Sequence, residues 1–286
     1  MPEYSNAAAC TLTRNFMRAA VASARVRWRG IVWAAALLSA GVSTAQPQSY
    51  PSKPIRFVVG FSAGGASDIT ARIVGQKLSE HFGQPVIIDN RAGASGTIAA
   101  GIVAKAPPDG YTLLSGATSI LAINPGLFDK LDYDSLRDFA PVSQTVSMPQ
   151  LLVVHPAVKA ATLKELLALA KARPGELNYS SSGTGSSSHL AMELLKYMAG
   201  INVVHVPFKG SGQAMPNLLA GQVQLVIDPI PTSLPHVKTG RLRAIAISTV
   251  QRSPASPEVD VGVPAPCPAL DSMRMRQGGP SAACTS

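Results

Sequence analysis

The sequence predicts an α/β fold of two lobes, each a sheet flanked by helices. Three observations lead to this prediction. From Tyr50 onward, short β-branched runs alternate with segments of helical period, which is typical of a parallel sheet with helices on its faces. A second series of the same kind begins after residues 138–142. Two glycine- and serine-rich loops, residues 60–67 and 180–188, each follow an apolar strand and precede a helix.

The first 45 residues are predicted to form an export signal. Five arginines precede an apolar segment from Ile31 to Val42, and residues 43–45 fit a small-x-small cleavage site. The apolar segment is too short for a permanent membrane anchor. We therefore expect cleavage near Ala45 and a periplasmic product, with a retained membrane helix as the alternative.

Residues 46–142 are assigned to lobe 1, in which strands and helices alternate. Their predicted bounds are residues 57–59, 68–82, 86–88, 96–105 and 111–114, with a further helix start at Asn124. In the first helix, a period of 3.6 places four apolar side chains on one buried face, namely Ile69, Ile73, Val74 and Leu78.

Residues 143–247 are assigned to lobe 2. A capping box at residues 162–165 predicts the start of a helix, and residues 173–175 predict its end. Strands are predicted at residues 151–154, 177–179, 203–206, 223–227 and 243–247. The helix after the second loop is expected to bury one face made of Leu190, Leu194, Leu195 and Met198.

Residues 248–286 complete the predicted organisation. We interpret them as a return crossover followed by a disordered tail, because the tail has neither a strand period nor a helical period and is rich in proline.

Composition narrows the function. The formal net charge of +9 overstates how basic the predicted lobes are, because residues 1–45 contribute +4 of it; the remaining charge of about +5 mildly favours anionic ligands. The sequence has no basic cluster interleaved with aromatic residues, so we do not expect nucleic-acid binding. The three cysteines, Cys10, Cys267 and Cys284, lie outside both predicted lobes, so we expect neither a disulfide framework nor a cysteine metal site. The five histidines are dispersed, and no phosphate loop or dinucleotide fingerprint is present. We expect no cofactor.

Each glycine- and serine-rich loop places backbone N–H groups at the positive start of a helix, where anions bind. Taken singly, either loop has the alternative interpretation of a tight turn. Two such loops, about 120 residues apart, predict two lobes that face one ligand.

At these loops and at several other motifs, the chain resembles the Bug-type extracytoplasmic solute receptors, the substrate-binding components of tripartite tricarboxylate transporters. The resemblance extends from Tyr50 to Arg252 and is carried by residues 50–55, 64–68, 90–96, 108–113, 138–142, 178–183, 205–210 and 240–244. The order and spacing of these motifs make it specific.

The resemblance implies a periplasmic-binding-protein-like fold, with the ligand in a cleft between lobes that close on it. It also implies a monomer that captures a small carboxylate and delivers it to membrane transporter subunits. The expected carboxylates are dicarboxylates, tricarboxylates, acidic amino acids or aromatic acids. The implied ligand-binding residues are Phe61, Ser62, Ala63, Gly64, Gly65, Ala117, Thr118, Asn124, Ser180, Ser181, Ser182, Gly183, Thr184, Gly185, His189 and Asp228.

Several of these side chains have structural alternatives. His189 is as readily a partly buried histidine whose hydrogen bonds are satisfied within the protein. Asn124 precedes a proline and could shape a turn. Asp228 also precedes a proline and could be a cap or hinge residue. Asp68 is interpreted as first-turn helix charge rather than as a ligand contact.

The tail departs from the family pattern, in which further strands and helices return to complete lobe 1. Residues 254–286 resemble a truncated or frameshifted ending instead. The expectation is therefore that lobe 1 is incomplete, and a non-binding remnant of a receptor is the alternative function.

A secreted hydrolase is the other alternative. Residues 60–64 match G-x-S-x-G with Ser62 as nucleophile, and Asp228 and His236 follow in the order of α/β-hydrolases. The motif lacks the upstream strand whose loop supplies an oxyanion donor, so we expect no enzyme activity.

Overall fold

The computed structural model describes residues 49–249 together with Pro254 and Val259. The predicted export signal and the predicted tail lie outside these residues, apart from those two positions. All helices and strands described below belong to the part of the chain that begins at Pro51. Within the described residues, no helix is long and apolar enough to cross a membrane.

The first group of elements forms a three-stranded parallel sheet with the order β2-β1-β3. We call this group module 1. Its elements are β1 (Ile55–Val59), α1 (Ala66–Phe82), β2 (Val86–Asn90), α2 (Thr97–Ala104), β3 (Thr112–Ser115) and α3 (Asn124–Leu127). A 3₁₀ turn, Ala94–Gly96, precedes α2, and a π-helical turn, Ser119–Ile123, precedes α3.

The second group forms a five-stranded sheet with the order β6-β5-β7-β4-β8. We call it module 2. Its elements are β4 (Gln150–Val154), α4 (Leu163–Ala172), β5 (Asn178–Ser181), α5 (Ser187–Ala199), β6 (Val204–Pro207), α6 (Ser211–Leu219), β7 (Leu225–Pro229), α7 (Ile230–Lys238) and β8 (Arg243–Ile247). Strands β5, β6 and β7 are parallel, but β4 is antiparallel to both β7 and β8. The expectation of a parallel sheet is therefore wrong for this half of the module.

Helix α4 begins and ends where its capping signals predict. The Thr162 hydroxyl accepts a hydrogen bond from the Glu165 N–H, and the Glu165 carboxylate accepts one from the Ala161 N–H. Two otherwise free amides at the helix start are thereby satisfied. Leu166 and Ala170 are buried against the sheet.

The predicted buried face of α1 is wrong at Ile73, which is 61% exposed. The helix buries small residues instead, including Ala71 and Gly75. A β-carbon on Gly75 would lie 3.0 Å from the Ile88 side chain, so strand β2 leaves room only for a small residue there. Close helix-to-sheet packing therefore turns the larger apolar side chain outward.

The predicted buried face of α5 is wrong at three of its four residues, whereas the fourth, Leu195, packs against the core. Leu190, Leu194 and Met198 are exposed, whereas Met192 is fully buried. The hydroxyl of Ser188 accepts a hydrogen bond from the Ser182 N–H, which turns Ser188, and with it Met192 one turn later, toward the interior. A polar contact at the helix start thus sets the rotation of a helix that is apolar on both faces.

Candidate functional site

The loop between β1 and α1 is held by a buried carboxylate, Asp68. One of its oxygens accepts hydrogen bonds from the Gly64 N–H and from Arg72 Nε, both at 2.9 Å. The other accepts one from Asn90 Nδ2 at 3.0 Å, and the same amide donates to the Phe61 carbonyl. Burial acts to raise the pKa of Asp68, but these hydrogen bonds and the Arg72 charge hold it below its ordinary value.

Asp68 is therefore more than first-turn helix charge, since it fixes the path of the predicted ligand loop. Asn90 and Arg72 complete this arrangement, and neither was among the predicted site residues. The carbonyl-to-carboxylate bridge made by Asn90 joins the ends of two adjacent strands, β1 and β2. Only the pairing of these strands brings Asn90 near the loop.

The serine-rich segment begins inside a strand. Ser180 and Ser181 belong to β5 and are fully buried, so the predicted loop is shorter than residues 180–188. Ser181 Oγ lies 2.6 Å from His205 Nε2 and accepts a hydrogen bond from the Gly183 N–H. Ser180 Oγ points to the other face of the sheet and has no partner within the described residues.

His189 holds the same segment from the side of α5. Its Nδ1 accepts a hydrogen bond from the Gly185 N–H at 3.2 Å. Its ring lies against the His205 ring, with centroids 4.3 Å apart, and the His205 ring stacks on Tyr179. Burial lowers the pKa of both histidines, that of His205 to about 4. These are the contacts of a satisfied, neutral histidine, the structural alternative given for His189.

The expectation of bare amides is therefore wrong for much of both loops. In the serine-rich segment, the N–H groups of Ser182, Gly183, Gly185 and Ser186 all have partners within module 2. In the first loop, the N–H groups of Ser62, Gly64 and Gly65 also have partners. The starts of the helices themselves are different. Neither α1 nor α6 has a side-chain cap.

The two modules meet at the start of α6. The Ser62 N–H donates to the Lys209 carbonyl at 2.9 Å. A β-carbon on Gly212 would overlap the Ala63 carbonyl oxygen, and one on Gly210 would lie 2.6 Å from Ser62 Oγ. One on Gly65 would lie 3.5 Å from the Gly212 nitrogen. The uncapped starts of α1 and α6 therefore face each other across this contact, which we call the junction.

A chain of hydroxyls runs from the junction into module 2. Ser182 Oγ lies 3.1 Å from Ser211 Oγ, and Ser211 donates to the carboxyl of Asp228. The Thr232 hydroxyl donates to the second oxygen of that carboxyl. Burial raises the pKa of Asp228 to about 6, although the two hydroxyls act in the opposite direction. Asp228 thus anchors the hydroxyl chain and is 1% exposed.

Next to a second contact between the modules lies Asn124. It is fully buried, and its Nδ2 donates to the Ser95 carbonyl at 3.2 Å. Its Oδ1 has no partner within the described residues and would lie 3.4 Å from a β-carbon on Gly185. The hydroxyl of Ser95 donates to the Thr184 carbonyl in module 2. Ser95 itself has a positive φ of 52°, which is uncommon for a residue with a side chain.

The remaining predicted residues lie around these contacts. Phe61 is buried in a cluster that Ala117 packs against, and Thr118 is exposed before the π-helical turn. Ser95, Gly210, Ser211 and Gly212 were missed. A glycine–serine–glycine run at the start of α6 is the same signal as the two predicted loops and could have identified three of them.

The structure does not assemble the hydrolase triad. The Ser62 hydroxyl is buried and has no hydrogen-bond partner within the described residues. Asp228 contacts Ser211 and Thr232 instead, and His236 lies in the last turn of α7. No group of three potential metal ligands occurs among residues 49–249.

Comparison with protein families identifies one match over most of the chain. Residues 70–265 match the TctC model, described as "Tripartite tricarboxylate transporter family receptor". The match continues past Arg252, where the sequence resemblance was expected to end. The protein BugT of Bordetella pertussis is 40% identical over 231 residues, which cover 80% of this chain and 70% of BugT.

Solved structures are similar as well. R. palustris Rpa4515 with adipate is 40% identical, with a TM-score of 0.74, over 76% of this chain and 74% of that protein. MatC from Rhodopseudomonas palustris, with bound malate, is 34% identical, with a TM-score of 0.71, over 74% of this chain and 72% of MatC. The periplasmic binding protein BugD is 30% identical, with a TM-score of 0.71, over 74% of this chain and 71% of BugD.

Proposed function

This chain belongs to the tripartite tricarboxylate transporter receptor family, and on that premise we propose that it is a periplasmic receptor for a small carboxylate. In this proposal, residues 1–45 direct export, and the lobes 46–142 and 143–247 enclose the ligand at the junction. The loaded receptor then delivers the carboxylate to membrane subunits. The role is binding without catalysis.

One observation carries the proposal: two uncapped helix starts, one from each module, face each other at Gly65 and Gly212. Each helix start has a partial positive charge and unused N–H donors. Two like charges at close range repel, and an anion beside this contact removes the repulsion while accepting hydrogen bonds from both helix starts. A carboxylate is an anion of suitable size and hydrogen-bonding capacity.

The unpartnered polar atoms at the same contacts support this assignment. Ser62 Oγ and Asn124 Oδ1 are buried in module 1, face module 2 and have no partner among the described residues. A buried polar group without a partner costs about 1–3 kcal/mol. A bound polar ligand, together with its water molecules, provides such partners. Rpa4515 and MatC, the similar structures, contain adipate and malate.

The test is a thermal-shift screen of the purified chain against mono-, di- and tricarboxylates, followed by calorimetry. Binding to the native state raises the melting temperature by mass action, so a carboxylate that does so at low millimolar concentration supports the receptor. A cooperative melt that no carboxylate shifts would refute the proposal. A chain without a cooperative melt would match the non-binding remnant instead.

A further inference from the structure

Asp228 determines which way the hydroxyls of Ser211 and Ser182 donate their hydrogens in the chain that leads to the junction. An ionised carboxylate has no proton, so it only accepts hydrogen bonds. The Ser211 hydroxyl therefore donates its one hydrogen to Asp228. Its lone pairs remain for Ser182 Oγ, 3.1 Å away, so Ser182 donates to Ser211. The hydrogen of Ser182 thus points at Ser211, into module 2.

The same direction holds when Asp228 is protonated on the oxygen that faces Thr232, because Thr232 has a second acceptor. The Thr232 hydroxyl is within hydrogen-bond distance of both the Asp228 carboxyl and the Pro229 carbonyl, the latter at 2.8 Å. If a proton binds the oxygen of Asp228 that faces Thr232, the carboxyl donates to Thr232, and Thr232 donates to Pro229. The other oxygen still accepts from Ser211, and Ser182 still donates inward.

Ser182 therefore presents lone pairs, not a hydrogen, at its partly exposed outer side. Asn124 presents a second acceptor to module 2. Its Nδ2 is used by the Ser95 carbonyl, which fixes the amide orientation and leaves Oδ1 without a partner among the described residues. A carboxylate oxygen is also an acceptor and cannot bond to either atom. Both atoms require a donor.

We infer that the ligand carries a hydroxyl or ammonium group besides its carboxylate, and that the Asp228–Ser211–Ser182 chain selects it. This inference rests on the proposed function and narrows it to donor-bearing carboxylates. An unsubstituted diacid has no donor for Ser182 Oγ or Asn124 Oδ1. Its carboxylate oxygens would face these two acceptors, or additional water molecules would be needed to supply the missing hydrogen bonds.

Calorimetry with matched pairs tests the selection. The pairs are succinate with malate and with aspartate, and glutarate with 2-hydroxyglutarate and with glutamate. We expect at least one substituted acid of a matched set to bind about tenfold more tightly than its unsubstituted counterpart, the size expected for one hydrogen bond. The comparison with the hydroxy acids and the comparison with the amino acids show whether the ligand's donor is a hydroxyl or an ammonium group. Equal affinities within both sets would overturn the inference.

Three variants test the chain of hydroxyls. Ser211→Ala leaves Ser182 free to donate to a carboxylate. We therefore expect the ratio of affinities for the substituted and the unsubstituted acid to fall toward one. Asp228→Asn is expected to keep it, because the amide oxygen accepts from Ser211 and the amide nitrogen donates to Thr232. If Asp228→Asn loses the preference, the charge of Asp228 selects the ligand, and the inference that the hydrogen-bond direction selects it is overturned. If Ser211→Ala does not fold, Ser182→Ala removes one of the two acceptors directly and must weaken the preference.

Ser233→Ala is the matched control. It removes a buried hydroxyl of α7 that contacts the Pro229 carbonyl and takes no part in the chain, so the preference must persist. Neutron diffraction provides a test without ligand, because it locates the hydroxyl deuterons. A deuteron of Ser182 directed at Ser211 supports the chain, and the reverse direction overturns it. If no carboxylate binds in calorimetry, the proposed function fails, and the neutron map still decides the direction.

Discussion

Gly212 in module 2 packs directly on Ala63 in module 1, so closely that any β-carbon on Gly212 would overlap the Ala63 carbonyl oxygen. Backbone carbonyls cannot move aside as a flexible side chain can. The position of the two modules in this structure therefore requires glycine at residue 212.

Gly212→Ala should consequently prevent this arrangement of the modules. We expect carboxylate affinity to fall by about tenfold or more, because the two helix starts can no longer approach the same anion. Calorimetry measures the affinity, and small-angle scattering should show a larger radius of gyration. Gly126→Ala is the control, since a β-carbon there has no neighbour within 4 Å. Equal affinities for the two variants would contradict the prediction.

Gly65→Asp should separate stability from binding. Gly65 has a φ of −81° and precedes the first turn of α1, so its backbone accommodates an aspartate that caps the helix, with the β-carbon 3.3 Å from the Ser62 carbonyl oxygen and 3.5 Å from the Gly212 nitrogen. The melting temperature is expected to stay or rise, while carboxylate binding is lost because a fixed negative charge occupies the anion position. Gly65→Asn provides the same cap without the charge and should lose less affinity. Unchanged binding by Gly65→Asp would rule out α1 as part of the site.

Asn90→Ala should loosen the first loop. The variant removes the hydrogen bonds to the Phe61 carbonyl and to the Asp68 carboxylate, and we expect about 1–2 kcal/mol of destabilisation. Denaturant unfolding measures this difference, and carboxylate affinity should decrease in parallel. Gln76→Ala removes an exposed amide contact to Glu80 and should change neither quantity. A destabilised Asn90→Ala protein with full affinity would show that loop position is unimportant for binding.

The stability of module 2 should depend on pH through two groups with opposite signs, the partly buried His205 and the buried Asp228. The pKa of His205 falls from 6.5 to about 4 on folding, so the unfolded chain binds the proton more readily. Its contribution to stability is present above pH 6.5 and is lost as the pH falls from 6.5 to 4. The pKa of Asp228 rises from 3.8 to about 6, so its contribution is full below pH 3.8 and is lost as the pH rises from 3.8 to 6.

His205→Gln removes the first contribution and leaves the second. We expect the melting temperature of this variant to decrease less, by several degrees, between pH 6.5 and pH 4 than that of the natural chain. His81→Gln, at an exposed position, is the control. If the two variants have the same pH profile, His205 does not titrate as its surroundings indicate.

Local signals predicted most elements, and long-range contacts explain the errors. The capping box located α4, and the family resemblance is confirmed by the match to the receptor model. The buried faces of α1 and α5 were wrong because Gly75 and Ser188 set the rotation of each helix through contacts with other elements. No period within a helix contains that information.

The candidate site shows the same division. The two predicted loops do approach the same helix start, but no sequence pattern indicates that their amides are used internally by Asp68, Ser188 and His189. Those partners become visible only when strand pairing and helix rotation are known. The assignment of the ligand-binding residues stays a prediction.

The backbone of Ser95 has a further consequence. A positive φ at a residue with a β-carbon costs about 1–3 kcal/mol, and here the hydrogen bond from Ser95 to the Thr184 carbonyl offsets it. Any movement that separates these two residues breaks the bond and lets the backbone of Ser95 relax. The joined arrangement therefore stores backbone strain at Ser95, so less free energy is needed to separate the modules at this contact than the hydrogen bond alone would require.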